Sequence, residues 1–247
     1  MLMVLPAGCA SGEEAAVRTV PLPPVAPFDY QLADDLPLPE GVRVVMRDWQ
    51  DGTPAEGGAY NVCYVNAFQS QPEVEWPPQL VSTVEDPEWP GEFVIDLSTP
   101  DNRSLAAATV EGMVDRCAAK GFDAVEFDNL DTFVRFGGLG TGEVGFGRAE
   151  AVEYAATLVR LAHGRGLAAA QKNTAELLDA DIGFDIGFDF AIVEQCGEYD
   201  ECGAFSAVYG DLVFDIEYTA AGLAAACEAL GNAPTVALRV GDLYEGC

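Results

Sequence analysis

Four segments of this chain end an apolar run in side chains that can act as acids, bases or sugar-binding groups, and each is followed by a break in the chain. They are Phe122-Asp-Ala-Val-Glu-Phe-Asp128-Asn129, Leu167-Ala-Ala-Ala-Gln-Lys172-Asn173, Phe190-Ala-Ile-Val-Glu194-Gln195-Cys196 and Val213-Phe-Asp-Ile-Glu217-Tyr218. Buried parallel strands read as short apolar runs, and polar residues at the C-terminal ends of several such strands converge on one mouth. Period-two alternation places Phe122, Ala124, Glu126 and Asp128 on one face, with Asp128 nearest the open end, and Phe190, Ile192 and Glu194 on another, with Glu194 last. Carboxylates from separate strands can flank a glycosidic bond, as acid and as base or nucleophile.

Each of these residues also has a plainer reading. An Asp after a strand often serves as a helix cap or turn residue, with Asn129 as its neighbour. Glu126 lies deeper and reads as an orienting partner of Lys172. Lys172 is one of two lysines and follows Ala-Ala-Ala-Gln, so it reads equally as a buried charge compensator or a ligand contact. Glu217 and Tyr218 can satisfy backbone groups, or Tyr218 a sugar hydroxyl. Glu194 has the weakest structural alternative, because a glutamate closing Phe-Ala-Ile-Val needs a partner or a function. A Glu194 carboxyl raised toward neutrality would mark an acid catalyst, which a binding groove does not need. Phe28, Tyr30, Tyr64, Trp76 and Trp89 are available for sugar stacking, and Tyr64 and Trp89 lie next to the motif segments.

Other chemistries are excluded. The single histidine, His163, lies in a helical stretch ahead of the Leu167 strand, at the wrong end of a barrel. That removes Ser-His-Asp hydrolysis and multi-histidine zinc sites. No phosphate-loop, dinucleotide or EF-type loop pattern is present, so no cofactor is expected and a calcium site of Asp and Glu oxygens is the metal chemistry left open.

The elements that must position these residues follow in order. Candidate strands are residues 28–32, 42–46, 61–66, 93–97, 122–126, 167–171, 190–194 and 213–217, with 235–240 as an additional strand, and helical patterns span 104–120, 148–165 and 219–230. Strand then helix, repeated about eight times, predicts an α/β fold, a single, somewhat irregular (β/α)8 TIM-type barrel over residues 28–247. Residues 1–27 read as a signal remnant and a proline-rich tether. Within them Leu5-Pro-Ala-Gly-Cys9 is similar to a lipobox, which makes Cys9 a candidate for lipidation.

The 247 residues carry 41 Asp plus Glu against 12 Lys plus Arg, a formal charge of −29, which repels nucleic acid and anionic membrane and attracts cationic ligands. Surface acidity for solubility alone is the plainer cause. Seven cysteines are many for a reduced compartment and point to export. Cys196 and Cys202 bracket a short loop after Glu194, where a bridge contributes roughly 2 kcal/mol. Elimination then pairs Cys227 with Cys247 and Cys63 with Cys117.

Taken together, Asn61-Val-Cys-Tyr-Val-Asn66-Ala67, Trp89-Pro-Gly-Glu92, Ile95-Asp-Leu97, Gly121 to Asn129, Gln171-Lys-Asn173, Glu194-Gln-Cys196 with Tyr199 and Glu201-Cys202, and Glu217-Tyr218 resemble glycoside hydrolase family 114, in order from about Phe28 to Tyr218. The resemblance implies a (β/α)8 endo-α-1,4-polygalactosaminidase with Asp128 and Glu194 as a retaining pair, Asp128 as nucleophile and Glu194 as acid/base. The substrate contacts expected around them are Glu126, Asn129, Lys172, Asn173, Glu217, Tyr218, Tyr64, Asn66 and Trp89. Three positions depart from the family pattern: Phe28-Asp-Tyr-Gln31 where tryptophans are usual, Phe127 in place of proline, and Phe68 in place of glycine.

The expected partner is an extracellular amino-sugar polysaccharide, with no nucleic acid, membrane contact only through the N-terminal lipid, and a monomeric state. The expected location is secreted or a cell-surface lipoprotein. The rival expectation is a non-catalytic polysaccharide-binding barrel at the cell surface, and a third is a calcium-dependent adhesion module.

Overall fold

The computed structural model describes residues 20–137, 144–178, 186–240 and 243–247; Cys9 and its lipobox lie outside them. Sixteen elements follow in chain order: β1 (Phe28–Gln31), β2 (Val44–Asp48), β3 (Tyr60–Asn66), β4 (Val81–Glu85), β5 (Phe93–Ile95), α1 (Pro100–Lys120), β6 (Ala124–Asp128), α2 (Thr132–Arg135), α3 (Arg148–Arg165), β7 (Ala168–Lys172), β8 (Phe190–Glu194), α4 (Cys202–Tyr209), β9 (Val213–Glu217), α5 (Ala220–Ala229), β10 (Val236–Val240) and β11 (Leu243–Gly246). The main sheet runs β1-β2-β3-β6-β7-β8-β9-β10-β11. Its first eight strands are parallel neighbours, and β11 is antiparallel on the edge.

The sheet is curled as in a TIM barrel. Phe28 of β1 meets Phe214 of β9 edge-on at 5.6 Å, and Tyr60 of β3 meets Phe190 of β8 at 6.4 Å, so strands far apart in the ladder face each other across one interior. Among the described residues no ladder closes β1 onto β10 or β11. These aromatics fill part of that interior. Ala124, Ala168 and Ala170 supply only methyl groups to it, which leaves room for the buried Lys172 and Glu126. The outer face of the same strands, with Val65, Val125, Phe127 and Ala169, packs against α1 and α3. Phe122, expected on the inner face, precedes β6 and packs in this outer layer.

Local chemistry explains the helices. Thr99 caps α1 by accepting the Asn102 amide, Pro100 opens its first turn, and Gly121 ends it with φ 92°. Its buried stripe, Ala106, Val110, Met113, Val114 and Cys117, has helical spacing. Cys117 thereby reaches Cys63 on β3. That bridge, Cys196–Cys202 and Cys227–Cys247 all form, the three pairs expected from spacing and elimination.

Two strand expectations change. Residues 93–95 leave the barrel ladder and pair antiparallel with β4 in a small separate sheet, because the place beside β3 is taken by β6, which returns parallel after α1. Val236–Val240 is the eighth parallel strand, not an addition. Residues 20–27, read as tether, contain no helix or strand, yet Val20 packs on the interior cluster and the Pro21 carbonyl accepts the Tyr60 hydroxyl at 2.8 Å.

Candidate active site

The parallel registers set the site. Asn66 of β3 is level with Asp128 of β6, and Lys172 and Glu194 end the next two strands. The residue after each acid or base is left-handed: Asn129 (φ 62°), Asn173 (φ 46°) and Gln195 (φ 61°). Asn tolerates this conformation well and Gln less so, so the chain turns sharply outward while the preceding side chain stays inside.

Lys172 stands at the centre with a 4% exposed side chain, its Nζ 3.1 Å from Glu194 Oε2, 3.5 Å from Glu126 Oε1 and 3.7 Å from Asp128 Oδ1. Burial opposes its charge, but the carboxylates of Asp128, Glu194 and Glu126 outweigh burial and hold the ammonium well above its ordinary range. Below it, Tyr30 accepts from Lys172 Nζ at 3.2 Å and donates to Glu126 Oε1 at 2.9 Å. Glu126 has no exposed surface; burial lifts its carboxyl to about 7, against the pull of Lys172.

Asp128 accepts from the Tyr64 hydroxyl at 2.8 Å and from the Asn129 amide at 2.7 Å. Glu194 accepts from the Tyr218 hydroxyl and from Asn173 Nδ2 at 3.4 Å, while its own amide donates to Asn173 Oδ1 at 2.7 Å. Burial pushes the Glu194 carboxyl up, but Lys172 and Tyr218 together hold it below its ordinary range. This is opposite to the raised value expected of a resting acid, and the cause is the ammonium at 3.1 Å. Because both acids contact one nitrogen, their facing oxygens lie within about 7 Å, where paired carboxylates can act on a glycosidic bond.

Above the pair opens a cleft of about 940 Å³. Eight acidic side chains line it against three basic ones, Arg135, Lys172 and Arg239. Trp89, 62% exposed, and Tyr199, 63% exposed, stand on its rim. Glu92 lies beside Asp128, and burial lifts its carboxyl to about 7, against a hydrogen bond from Asn66 Nδ2 at 2.9 Å.

Of the expected substrate contacts, Tyr64, Trp89, Asn129, Lys172, Asn173 and Tyr218 line the cleft together with Asp128 and Glu194. Glu126 lies beneath it, Asn66 is 2% exposed and donates to Glu92, and Trp76 is in the outer core. Glu217 does not join the site. It faces the helix layer, fully buried, and accepts the Gly197 amide at 2.6 Å. Tyr30, Glu92 and Tyr199 belong to the site's surroundings without having been singled out as contacts; the Phe28–Tyr30 alternation on β1 was the available signal for Tyr30. Among the described residues, the cluster with metal-ligand spacing is Cys196, Cys202 and Asp215, and its two sulfurs are joined in a disulfide.

The model of glycoside hydrolase family GH114 matches residues 10–244. The chain belongs to that family. Among solved structures, the crystal structure of Aspergillus fumigatus Ega3 in complex with galactosamine has a TM-score of 0.76 at 20% identity, covering 94% of this chain and 100% of that one. The glycoside hydrolase domain of PelA from Pseudomonas aeruginosa has a TM-score of 0.62 at 15% identity, covering 89% and 98%. No curated protein matches the sequence. At these identities the structures establish a shared fold: the curled parallel sheet of this GH114 chain is that of Ega3 and PelA.

Proposed function

We propose that this family GH114 hydrolase cuts internal α-1,4 linkages of a galactosamine-containing, partly cationic polysaccharide, with Asp128 and Glu194 as a retaining pair. The observation that carries the reading is a single ammonium, Lys172, shared by two carboxylates that end neighbouring parts of one barrel mouth. In the first half-reaction Glu194 gives a proton to the leaving oxygen while an Asp128 oxygen bonds to the anomeric carbon; in the second, Glu194 takes a proton from water and the ester is hydrolysed.

The depressed Glu194 carboxyl sets a condition on this assignment. Burial already favours its neutral form. An arriving sugar that removes water and lets Lys172 lean toward Asp128 raises Glu194 and steadies the Asp128 anion together. The acidic cleft supports an ammonium-bearing substrate. Arg135 is engaged by Asp86, whereas the charges that act most on Glu92 are those of Asp128, Asp86 and Glu73, all of its own sign. An amino group on the sugar supplies the missing counter-ion, and Ega3 was crystallised with galactosamine. Trp89 and Tyr199 offer stacking surfaces on the rim. Three disulfides suit an oxidising compartment, and among the described residues no helix is long and apolar enough to cross a membrane, so secretion or a lipid anchor at Cys9 completes the reading.

The test is to incubate the protein, beside its Glu194→Gln variant, with partly deacetylated α-1,4-galactosaminogalactan and to identify released oligosaccharides by mass spectrometry. Oligomers from the wild type alone are expected. Binding without products from either protein would replace hydrolysis with a polysaccharide-binding role.

A further inference from the structure

Two buried carboxyls outside the cleft have no part in the chemistry above. Asp215 and Glu217 alternate on β9 with Phe214 and Ile216, so they face the helix layer while the latter two face the barrel interior. Neither has exposed surface. Asp215 Oδ1 accepts the Cys196 amide at 3.2 Å, and Glu217 Oε1 accepts the Gly197 amide at 2.6 Å. The other two oxygens, Asp215 Oδ2 and Glu217 Oε2, are buried without a hydrogen-bond partner among the described residues, and burial raises both carboxyls above their ordinary range. The two amides belong to the turn that immediately follows Glu194.

The turn has no slack. Gln195 is left-handed, and its amide donates to Ile216 O at 2.8 Å. A Cβ on Gly197 would collide with Gly222 O, Ala226 N and Glu217 Oε1, so glycine alone lets the turn press onto α5. The Cys196–Cys202 disulfide closes the far side. We propose that Asp215 and Glu217 are positioning residues: by accepting the Cys196 and Gly197 amides they seat the Gln195–Gly197 turn from below and so fix the direction of Glu194. This rests on the reading of Glu194 as catalytic.

Neighbouring charge makes the pair pH-sensitive. Glu194 and Glu198 act on it with the same sign, and α4 and α5, the helices over it, contain no lysine or arginine; their titratable side chains are Tyr209, which donates to Gln171, and the exposed Glu228. Burial, then Glu217, lifts the Asp215 carboxyl to about 8. Ionisation of the second carboxyl as pH rises toward that value sets two buried anions side by side beneath the turn, so seating weakens over that range.

Asp215→Asn keeps an acceptor for Cys196 N and carries no charge at any pH. Asp215→Ala removes the acceptor. Expected for polysaccharide cleavage is a kcat in Asp215→Ala about 10–100-fold below wild type at pH 6 with KM little changed, the size of a misplaced catalytic group. Asp215→Asn should restore kcat and decline less than wild type between pH 6 and 8. A second readout needs no substrate: the rate at which a small thiol reduces the Cys196–Cys202 bridge, followed by mass spectrometry, should rise with pH more steeply in wild type than in Asp215→Asn. Parallel reduction rates in the two proteins overturn the clamp, even if Asp215→Ala does not fold. Diverging reduction rates with no cleavage by wild type would uphold the clamp and remove the hydrolase reading instead.

Discussion

Replacing Lys172 with methionine tests the centre of the site most directly. The ammonium is 3.1–3.7 Å from three carboxylates, and its side chain is 4% exposed. Removing one partner of a buried ion pair costs about 3–5 kcal/mol, because the other charges are left uncompensated. For a domain of this size each kcal/mol moves the melting temperature by about 2–4 °C, so Lys172→Met should melt about 6–20 °C lower at pH 7. The pH dependence gives the sign. Glu194 is depressed by Lys172, so its share of the stabilisation is present above the ordinary glutamate range and lost as pH falls through the depressed value. Lys172 is raised, so its share is present below the ordinary lysine range and lost only as pH climbs through the folded value. The gap between wild type and variant should therefore be widest between about pH 5 and 9 and close below about pH 4. Adding Glu194→Gln to Lys172→Met should recover about 0.5–3 kcal/mol, since the acid that Lys172 holds ionised is then neutral. Calorimetry of wild type, the two single variants and the double variant at pH 4 and pH 7 is the assay. Equal melting at pH 7, or a gap that does not shrink in acid, would show that the ammonium does not hold this site together.

Other outcomes bear on the roles around it. If Glu194 is the acid, Glu194→Gln should lose cleavage of the polymer but keep measurable turnover of an aryl glycoside whose leaving group needs no proton, while Asp128→Asn loses both; the reverse pattern would exchange the two roles. Glu92→Gln should reduce kcat/KM on fully deacetylated oligomers about tenfold and leave N-acetylated oligomers unaffected, with equal losses on both removing Glu92 as an ammonium partner. Trp89→Ala should raise KM about 2–13-fold with kcat held, the value of one aromatic stacking contact of about 0.5–1.5 kcal/mol, and an unchanged KM would take the rim tryptophan out of the binding path.

Much of the site was legible because strand ends are local. Apolar runs capped by Asp128, Lys172 and Glu194 and followed by Asn129, Asn173 and Gln195 announce residues held inside while the chain turns out, and the structure shows those three turns as left-handed. Spacing around a short loop sufficed for Cys196–Cys202, and the cysteines left over paired as elimination requires. Which face of a strand meets the cleft was legible on β6 and β8 but not on β9. A parallel strand in a barrel is buried on both faces, so Phe214 and Ile216 inside and Val213 outside are equally apolar, and nothing in Val-Phe-Asp-Ile-Glu tells which way Asp215 and Glu217 point. Only the curl of the sheet decided that Glu217 supports the turn behind Glu194.

What the chain determined by itself is therefore the inventory: carboxylate chemistry without histidine or cofactor motifs, strands alternating with helices, oxidised cysteines and a large negative charge. What tertiary structure decided is the company each group keeps. Tyr30 reaches Glu126 across 96 residues, and Lys172 reaches Tyr30 across 142, contacts that no periodicity encodes. Strand order and register, set by packing on both sides of the sheet, brought three acids to one ammonium, and a charge so placed shifts its neighbours' proton affinities by distance and burial, quantities that exist only once the chain is folded.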